Sequence, residues 1–326
     1  FFGGVSNKFT IFCNETGTFS TYKSDRYGFN NPDFVWDQDI DYLIIGDSFT
    51  HGGCVGEEEN LAAHLRKLTS KNVVSLGYGG TGPLIQLAIL KEFSKNKKIK
   101  NIINFYYEND IKDLEKEKKY NFLFLYLNKN FDQNLILNEK IIERDKEILK
   151  EIKRLEKEKN IDYSEVFISR QNLIQRGADK SVLKYKKTNF FLDIVKLKKI
   201  RKVLRFDYYF TNLKTSLSDD IWELYGKILN QFKLYAAEKN ANFHVVLLPA
   251  NDRFLGFNDI FLNQEKHHYK DKVVETLLKE NIINFDFYDE IIKFKDPKSF
   301  YPFGTQIHFT SDGYKEIIKF YLKKIN

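Results

Sequence analysis

The stretch Asp41–Val55, DYLIIGDSFTHGGCV, decides the fold. Its apolar run Tyr42–Ile45 predicts a strand buried on both faces, as central strands of parallel sheets are. Gly46-Asp47-Ser48 then predicts a polar turn into a helix. A serine at this point lies where open α/β sheets place their ligand sites, beside the N–H groups of a helix N-terminus. The same turn could equally be structural, with Asp47 or Ser48 as the N-cap residue.

Two further predicted strands end in polar turns of the same kind. The strand at 72–76 is followed by four glycines within Gly77–Gly82, and the strand at 101–107 is followed by Glu108-Asn109-Asp110. Neighbouring parallel strands place their carboxyl ends at the same edge of a sheet, so we expect these turns to converge there with Ser48. Three converging polar turns indicate a functional site more strongly than any one of them.

The order of the predicted elements indicates the fold class. Further strands are predicted at 241–248 and 282–287, and helices are predicted at 57–71, 84–93, 219–240, 270–281 and 314–325. Alternation of strands and helices is typical of a parallel, doubly wound sheet. We therefore expect one α/β domain at 41–326, preceded by an N-terminal arm at 1–40 that packs on it. Residues 111–218 interrupt the alternation without a Pro-, Gly- or Ser-rich linker, and we interpret them as a mostly helical insertion, or cap.

The composition is that of a folded protein with a large core. Of the 326 residues, 42% are hydrophobic and 16% are aromatic, which excludes global disorder. The sequence contains neither an apolar run long enough for a transmembrane helix nor a signal-peptide pattern. It begins at Phe1 and contains no methionine, so we expect that an N-terminal segment was removed or that methionines are missing from the sequence.

The positive charge is concentrated in one segment. The net charge is +7, and residues 180–205 contain ten basic residues and one acidic residue. The segment 190–206, FFLDIVKLKKIRKVLRF, is also amphipathic, so residues 180–206 could contact a membrane surface or an anionic glycan. The simpler interpretation is a helix packed on the domain with its lysines in solvent. We find no nucleic-acid-binding motif and expect no nucleic acid partner.

The two cysteines leave two interpretations open. Cys13 and Cys54 could form one disulfide that ties the N-terminal arm to the region after Ser48. We slightly favour the alternative of two free, buried thiols. No Cys/His cluster has the spacing of metal ligands, so we expect no metal site and no cofactor.

Taken together, four motifs resemble a known superfamily. They are Gly46-Asp47-Ser48, the glycine-rich turn, Asn109-Asp110, and His308 ahead of the last predicted helix. In this order they resemble the SGNH (GDSL-type) esterases and acyltransferases, over residues 41–110 and 241–326. The resemblance implies a three-layer α/β/α sandwich around a flavodoxin-like, doubly wound parallel sheet of about five strands, here with a helical insertion.

The resemblance also implies a role for each motif. Ser48 would be the nucleophile, and His308 would be the general base and later the general acid. The oxyanion hole would consist of the N–H of Ser48, the N–H of Gly80 and the side-chain amide of Asn109, with Gly79 as the second choice for the glycine. Such chemistry needs a base to activate a hydroxyl and neutral donors placed in advance for the oxyanion.

The sequence departs from the superfamily at one position. The superfamily usually has an aspartate three residues before the histidine to orient its ring, and here that residue is Thr305. We expect a backbone carbonyl or a distant acid, Asp252 or Asp296, to hold His308 instead. Without such a group the rate of a serine–histidine pair is lower. His51, three residues after Ser48, is expected to face away from the site.

These roles predict a serine esterase that removes acyl groups, most plausibly O-acetyl, from a carbohydrate or a small ester. The first alternative is an O-acyltransferase that modifies a bacterial surface glycan, with a sugar hydroxyl in place of water. The second is a glycan-binding member without activity. The sequence leaves the oligomeric state open, as well as the compartment, either the cell envelope or the cytoplasm of a bacterium.

Overall fold

The computed structural model describes residues 2–159, 217, 219–254 and 259–325. The chain divides into two compact units, one of Phe1–Ile152 with Asp219–Asn326 and one of Lys153–Ser218. Residues 111–152 therefore belong to the main unit, although the sequence analysis assigned them to the insertion. The basic segment 180–206 lies outside the described residues, so its membrane or glycan contact stays a prediction, as does the helical cap.

The described chain alternates strands and helices, numbered here in chain order. The strands are β1 Phe9–Cys13, β2 Ser20–Lys23, β3 Ile40–Gly46, β4 Val73–Ser75, β5 Ile99–Tyr107, β6 Asn242–Leu248 and β7 Ile283–Asp286. The α-helices are α1 Ser48–His51, α2 Leu61–Thr69, α3 Pro83–Ser94, α4 Asp110–Glu117, α5 Asn138–Lys159, α6 Asp219–Glu238, α7 Asp259–Lys279, α8 Tyr288–Ile291 and α9 Ser311–Ile325. Short 3-10 helices lie at Asp33–Asp37, Asn121–Leu127, Asn251–Phe254, Pro297–Phe300 and Pro302–Gly304.

Five parallel strands form the central sheet in the order β4-β3-β5-β6-β7. This is the strand order of flavodoxin-like doubly wound sheets, whose ligand sites lie where the order reverses, at the carboxyl ends of the first and third strands. Here those strands are β3 and β5. The predicted fold class is confirmed, and the turns after β3, β4 and β5 lie at one edge of the sheet.

Helices cover both faces of this sheet. On one face, α2 and α9 pack on each other and share a core cluster with Ile44 of β3, Ile103 of β5 and Val246 of β6. On the other face, α3 packs against α4 and α6. Leu43, Ile44 and Ile45 are fully buried because β3 has a helical layer on each side. Within the described ranges, no helix has both the length and the apolar character that crossing a bilayer requires.

The N-terminal arm is more regular than the sequence indicated. β1 and β2 form an antiparallel hairpin, with an irregular register between Ile11 and Cys13. The hairpin was not predicted, because both strands are short and lie partly exposed, so they lack the apolar run of a buried strand. Helix α7 also differs from the prediction: it begins at Asp259 rather than at Lys270.

Asn31 fixes the rest of the arm to the sheet. Its side-chain amide pairs with the backbone of Ser75 in edge strand β4, accepting from the N–H and donating to the C=O, both at 2.8 Å. The same Nδ2 group donates to the buried carboxylate of Asp25 at 2.8 Å. Asp25 also accepts from Trp36 Nε1 at 2.7 Å, and burial raises its pKa to about 6. Asn31 thus continues the hydrogen-bond ladder beyond an otherwise open edge.

We expect Asn31→Ala to lower the free energy of unfolding by roughly 2–4 kcal/mol, because it leaves the buried N–H and C=O of Ser75 without this partner and removes one hydrogen bond from the Asp25 carboxylate. Urea denaturation followed by circular dichroism measures this change. Asn130→Ala is the matched control, since Asn130 is exposed and its change should cost less than about 0.5 kcal/mol. Equal stability of the two variants would contradict a role for Asn31 at the sheet edge.

Candidate active site

Ser48 begins helix α1 at the carboxyl end of β3. Asp47 is the N-cap residue, and its carboxylate accepts from the N–H of Phe49 at 2.9 Å. Gly46 precedes it with a positive φ of 155°, and a β-carbon there would overlap Thr50 Oγ1. The tight turn therefore requires glycine, and it presents the Ser48 hydroxyl at the edge of the sheet.

His308 reaches Ser48 from the segment that precedes α9. Its Nε2 lies 2.8 Å from Ser48 Oγ, which is hydrogen-bond distance. The imidazole rests against the ring of Phe49, with 4.7 Å between the centroids. On another side it lies so close to Gly53 that a β-carbon there would overlap His308 Cδ2. The structure thus brings together the two residues predicted as nucleophile and base.

The carboxylate beside His308 belongs to Glu15, in the turn of the β1–β2 hairpin. Glu15 Oε1 lies 3.0 Å from His308 Nδ1. Oε2 accepts from the backbone N–H groups of His308 and Ile307 at 3.0 and 3.1 Å. Burial alone would raise the pKa of Glu15, but these hydrogen bonds and the nearby His308 ring outweigh it, and the pKa lies below its usual value. The carboxylate form is therefore favoured.

Glu15 lies at the position beside His308 for which the sequence analysis suggested Asp252 or Asp296. Asp296 instead caps a short 3-10 helix, where its carboxylate accepts from the N–H of Lys298 at 3.2 Å. The side chain of Asp252 lies outside the described residues. At the position where the superfamily has its aspartate, the backbone of Thr305 accepts from Asn251 Nδ2 at 3.0 Å. The segment before His308 is thus held by hydrogen bonds to two side chains from elsewhere in the chain, the amide of Asn251 and the carboxylate of Glu15.

The glycine-rich turn after β4 lies beside Ser48. A β-carbon on Gly79 would stand 3.6 Å from Ser48 Cβ. The N–H of Gly79 is engaged, since it donates to His51 Nδ1 at 3.2 Å. Gly80 follows with a positive φ of 77°, and a β-carbon there would meet nothing within 4 Å. This arrangement favours Gly80 over Gly79 as the donor to an oxyanion.

Asn109 lies at the carboxyl end of β5, just ahead of α4. Its Nδ2 donates to Asp113 Oδ2 at 2.9 Å. An amide NH₂ has two hydrogens, so one of them is left for a ligand. Asn109 Oδ1 is buried without a hydrogen-bond partner among the described residues. Asp113 therefore fixes the Asn109 side chain, and the second N–H of Nδ2 remains available to a ligand.

Below Ser48 and Asn109, two buried carboxyl groups influence each other. Burial raises the pKa of Asp47 to about 6. Burial and the neighbouring charge of Asp47 raise the pKa of Asp110 well above its usual value. The raised pKa favours the protonated form of Asp110. Protonation reduces the negative charge beneath the position where an oxyanion would form.

His51 holds the glycine-rich turn and was missed as a functional residue. It is buried between Phe12 and Tyr78, with ring centroids 4.0 and 5.3 Å away. Its Nδ1 accepts from Gly79, so Nε2 carries the proton and donates to Tyr22 Oη at 2.7 Å. Burial lowers the pKa of His51 to about 3. A neutral imidazole with both nitrogens engaged positions the turn and is not available as the base.

The structure joins Cys13 and Cys54 in a disulfide, so the favoured interpretation of two free thiols is wrong. The bond links β1 to the turn that follows α1. Among the described residues, one group has side-chain atoms of the metal-ligand type within 4.8 Å of one another. It consists of Cys13, Glu15, Cys54 and His308. Both sulfur atoms are used in the disulfide, however, so the oxidised chain offers no thiolate pair to a metal.

Fold and site together define a class of protein: a doubly wound α/β domain with a serine, a histidine and a carboxylate in hydrogen-bond contact at the carboxyl edge of its sheet. The strand order and the four motifs agree with the SGNH/GDSL-type resemblance. No family model matches the chain, and no curated protein matches it.

The solved structures that the chain matches include two bacterial proteins. One, from Desulfitobacterium hafniense, is provisionally described as a lipolytic protein of the G-D-S-L family; it is 11% identical, with a TM-score of 0.42, over 87% of this chain and 99% of the other. The second is provisionally described as an acylhydrolase and comes from Bacteroides fragilis. It is 14% identical, with a TM-score of 0.42, and the match covers 89% of this chain and 90% of the other.

The position of Glu15 had one signal in the sequence. Glu15 lies two residues after Cys13, and Cys54 lies six residues after Ser48. Had the disulfide been preferred over free thiols, it would have placed Glu15 close to the serine turn. His51 had no comparable signal, because its partners belong to separate segments: Tyr22 to strand β2 and Gly79 to the glycine-rich turn.

We expect the stability difference between wild type and His51→Phe to depend on pH. Native His51 stays neutral down to about pH 3, whereas the unfolded chain binds a proton near pH 6.5, so lowering the pH favours unfolding of the wild type alone. The advantage of the wild type should shrink by about 2–3 kcal/mol between pH 7.5 and 4.5. Phenylalanine keeps a ring between Phe12 and Tyr78. Urea denaturation at both pH values measures the difference, and a pH-independent difference would contradict a buried neutral His51.

Proposed function

We propose that this chain is a serine-dependent ester hydrolase of the SGNH/GDSL type that works through an acyl-serine intermediate. One observation carries the proposal: the unbroken hydrogen-bonded series from Ser48 Oγ through His308 to Glu15, at 2.8 and 3.0 Å. The carboxylate fixes Nδ1 as the protonated nitrogen and leaves Nε2 to take the serine proton. This series also weighs against an inactive member, because the acid missing at Thr305 is supplied by Glu15.

The acylation step follows from this geometry. Ser48 Oγ attacks the carbonyl carbon of an ester while its proton passes to His308 Nε2, and the carbonyl oxygen becomes an oxyanion. Collapse of this intermediate breaks the bond to the alcohol, which leaves with the proton from Nε2. A water molecule then attacks the acyl-serine by the same route. The acid is released and Ser48 regains its proton.

The oxyanion would be bound by neutral donors on three strand ends. The N–H of Ser48 is in the first turn of α1, where it has no acceptor within the helix. The N–H of Gly80 and the remaining hydrogen of Asn109 Nδ2 complete the set. Each such donor typically contributes about 100- to 1000-fold in rate. The raised pKa of Asp110 supports the same step, because an ionised carboxylate there would repel the oxyanion.

We infer that the acyl group is small, most simply acetyl, and that the alcohol is a carbohydrate or another small molecule. Phe12 limits the space beside Ser48, since a β-carbon on Gly79 would stand 3.1 Å from its ring. Phe303 and Ile307, ahead of His308, are 74% and 52% exposed and offer apolar surface to a ligand. Phe303 has a positive φ of 55°, and such strained residues are frequent at functional sites. An O-acyltransferase would use the same acyl-serine and differ only in the attacking hydroxyl.

Burst kinetics with p-nitrophenyl acetate test the proposal. Wild type should release p-nitrophenol in a rapid phase of about one equivalent per chain when deacylation is slow, and Ser48→Ala should show none. An added sugar acceptor distinguishes the alternatives: acetylated sugar in place of acetate indicates a transferase. Absence of Ser48-dependent release, with glycan binding retained, would replace the proposal by a binding module.

We expect Glu15→Gln to lower kcat by roughly 100- to 10,000-fold with a small change in KM, because the amide cannot fix the tautomer of His308 or stabilise its cation. The matched control is Asp296→Asn, which alters one of the two acids that the sequence analysis suggested. It should keep kcat within about threefold of wild type, since Asp296 contacts Lys298 rather than His308. The opposite ranking of the two variants would remove Glu15 from the mechanism.

A further inference from the structure

We propose that the Cys13–Cys54 disulfide positions the Glu15 carboxylate, so that reduction of this one bond uncouples Glu15 from His308 and lowers turnover. The inference rests on the proposed function. It goes beyond that function by making the esterase site dependent on the redox state of two residues that take no part in the chemistry.

The first argument is the location of the bond. Cys13 ends β1, and Glu15 follows two residues later in the hairpin turn. Cys54 lies in the turn after α1, the helix that begins with Ser48. The disulfide therefore connects the element that carries the carboxylate directly to the element that carries the serine hydroxyl. The sulfur of Cys54 lies 3.6 Å from His308 Nδ1, the nitrogen that faces Glu15.

The second argument is how little else holds the hairpin turn. Asn14, Thr16, Gly17 and Thr18 are exposed, and Glu15 is half-buried. The hydrogen bonds of Thr16 go to Thr18, within the turn itself. Beyond the turn, the strands are held through Phe12 and Tyr22, which pack on His51. Without the disulfide, the position of Glu15 would depend on this packing of the strands and on its own hydrogen bonds to Ile307 and His308.

The third argument is the distance along the chain. Glu15 and His308 are 293 residues apart, so local chain connectivity does not keep them together. A cross-link removes conformations in which the hairpin turn moves away from the turn that carries Cys54. A carboxylate that orients a catalytic histidine must be held to within about half an ångström. The disulfide supplies this restraint for Glu15. An aspartate three residues before the histidine would instead be held near the ring by the short stretch of backbone between them.

The switching step is a two-electron reduction. A dithiol such as dithiothreitol gives two electrons and two protons to the sulfur–sulfur bond; Cys13 and Cys54 become thiols and the dithiol becomes a cyclic disulfide. The chain contains no other cysteine, so the reagent acts on this bond alone. Disulfides persist in oxidising compartments, and the inference assigns the active form to such a compartment.

The kinetic experiment compares four samples: wild type and Glu15→Gln, each oxidised and reduced, with a chelator present so that zinc does not bind the free thiols. Reduction should lower kcat of the wild type by at least about 30-fold with KM changed less than about threefold. Reduction of Glu15→Gln should change kcat by less than about threefold, because the group that the disulfide positions is already absent. Equal factors in both backgrounds would overturn the inference.

A second readout needs no activity. The amide hydrogens of Ile307 and His308 donate to Glu15, so reduction should speed their exchange with solvent at least about tenfold, as measured by nuclear magnetic resonance. The internal control is the amide of Ala63 in α2, which donates to the N-cap residue Asn60, and its exchange rate should not change. Unchanged exchange at Ile307 and His308 would overturn the inference. If the oxidised wild type lacked Ser48-dependent turnover, the proposed function would fail while this exchange experiment still decided the role of the disulfide.

Discussion

The site depends on one carboxylate that makes two different kinds of contact. One oxygen of Glu15 faces the imidazole of His308, and the other accepts from two successive backbone N–H groups. The first contact sets the tautomer of the ring. The second holds the segment that carries the ring. An aspartate three residues before the histidine would achieve the first through a local turn. Here a hairpin from the N-terminal arm provides both from across the site.

The central sheet could be predicted because buried parallel strands carry their signal in a few consecutive residues. β3, β5 and β6 are mostly apolar, and their observed bounds differ from the predicted ones by two residues or fewer. β3 ends in Gly46, β5 is followed by Glu108-Asn109, and β6 is followed by Pro249. The hairpin β1–β2 has no such signal, since its strands are short and partly exposed. The contact of Ser48 with His308 was expected from the resemblance that the four motifs carry. The contact of His308 with Glu15 joins residues 293 positions apart, so it could be predicted only once the Cys13–Cys54 disulfide was known.

The electrostatics of the site arise from burial as much as from charge. His51, Asp47 and Asp110 lie beneath or beside the serine turn, and water is excluded from all three. Burial favours the neutral form of each, lowering the pKa of the imidazole and raising those of the carboxyls. Burial therefore lowers the charge that these three groups carry, compared with the same groups in water. It reduces the negative charge beneath the N–H donors that would bind the oxyanion.

The remote carboxylate has a consequence for recognising similar chains. A pattern that demands an acidic residue shortly ahead of the histidine would discard this sequence, although its serine, imidazole and carboxylate are in contact. A pattern that pairs an early Cys-x-Glu with a cysteine six positions after the serine would retain it. In a chain with this arrangement, the segment before the histidine does not have to supply the carboxylate. Its sequence can therefore vary to suit other ligands.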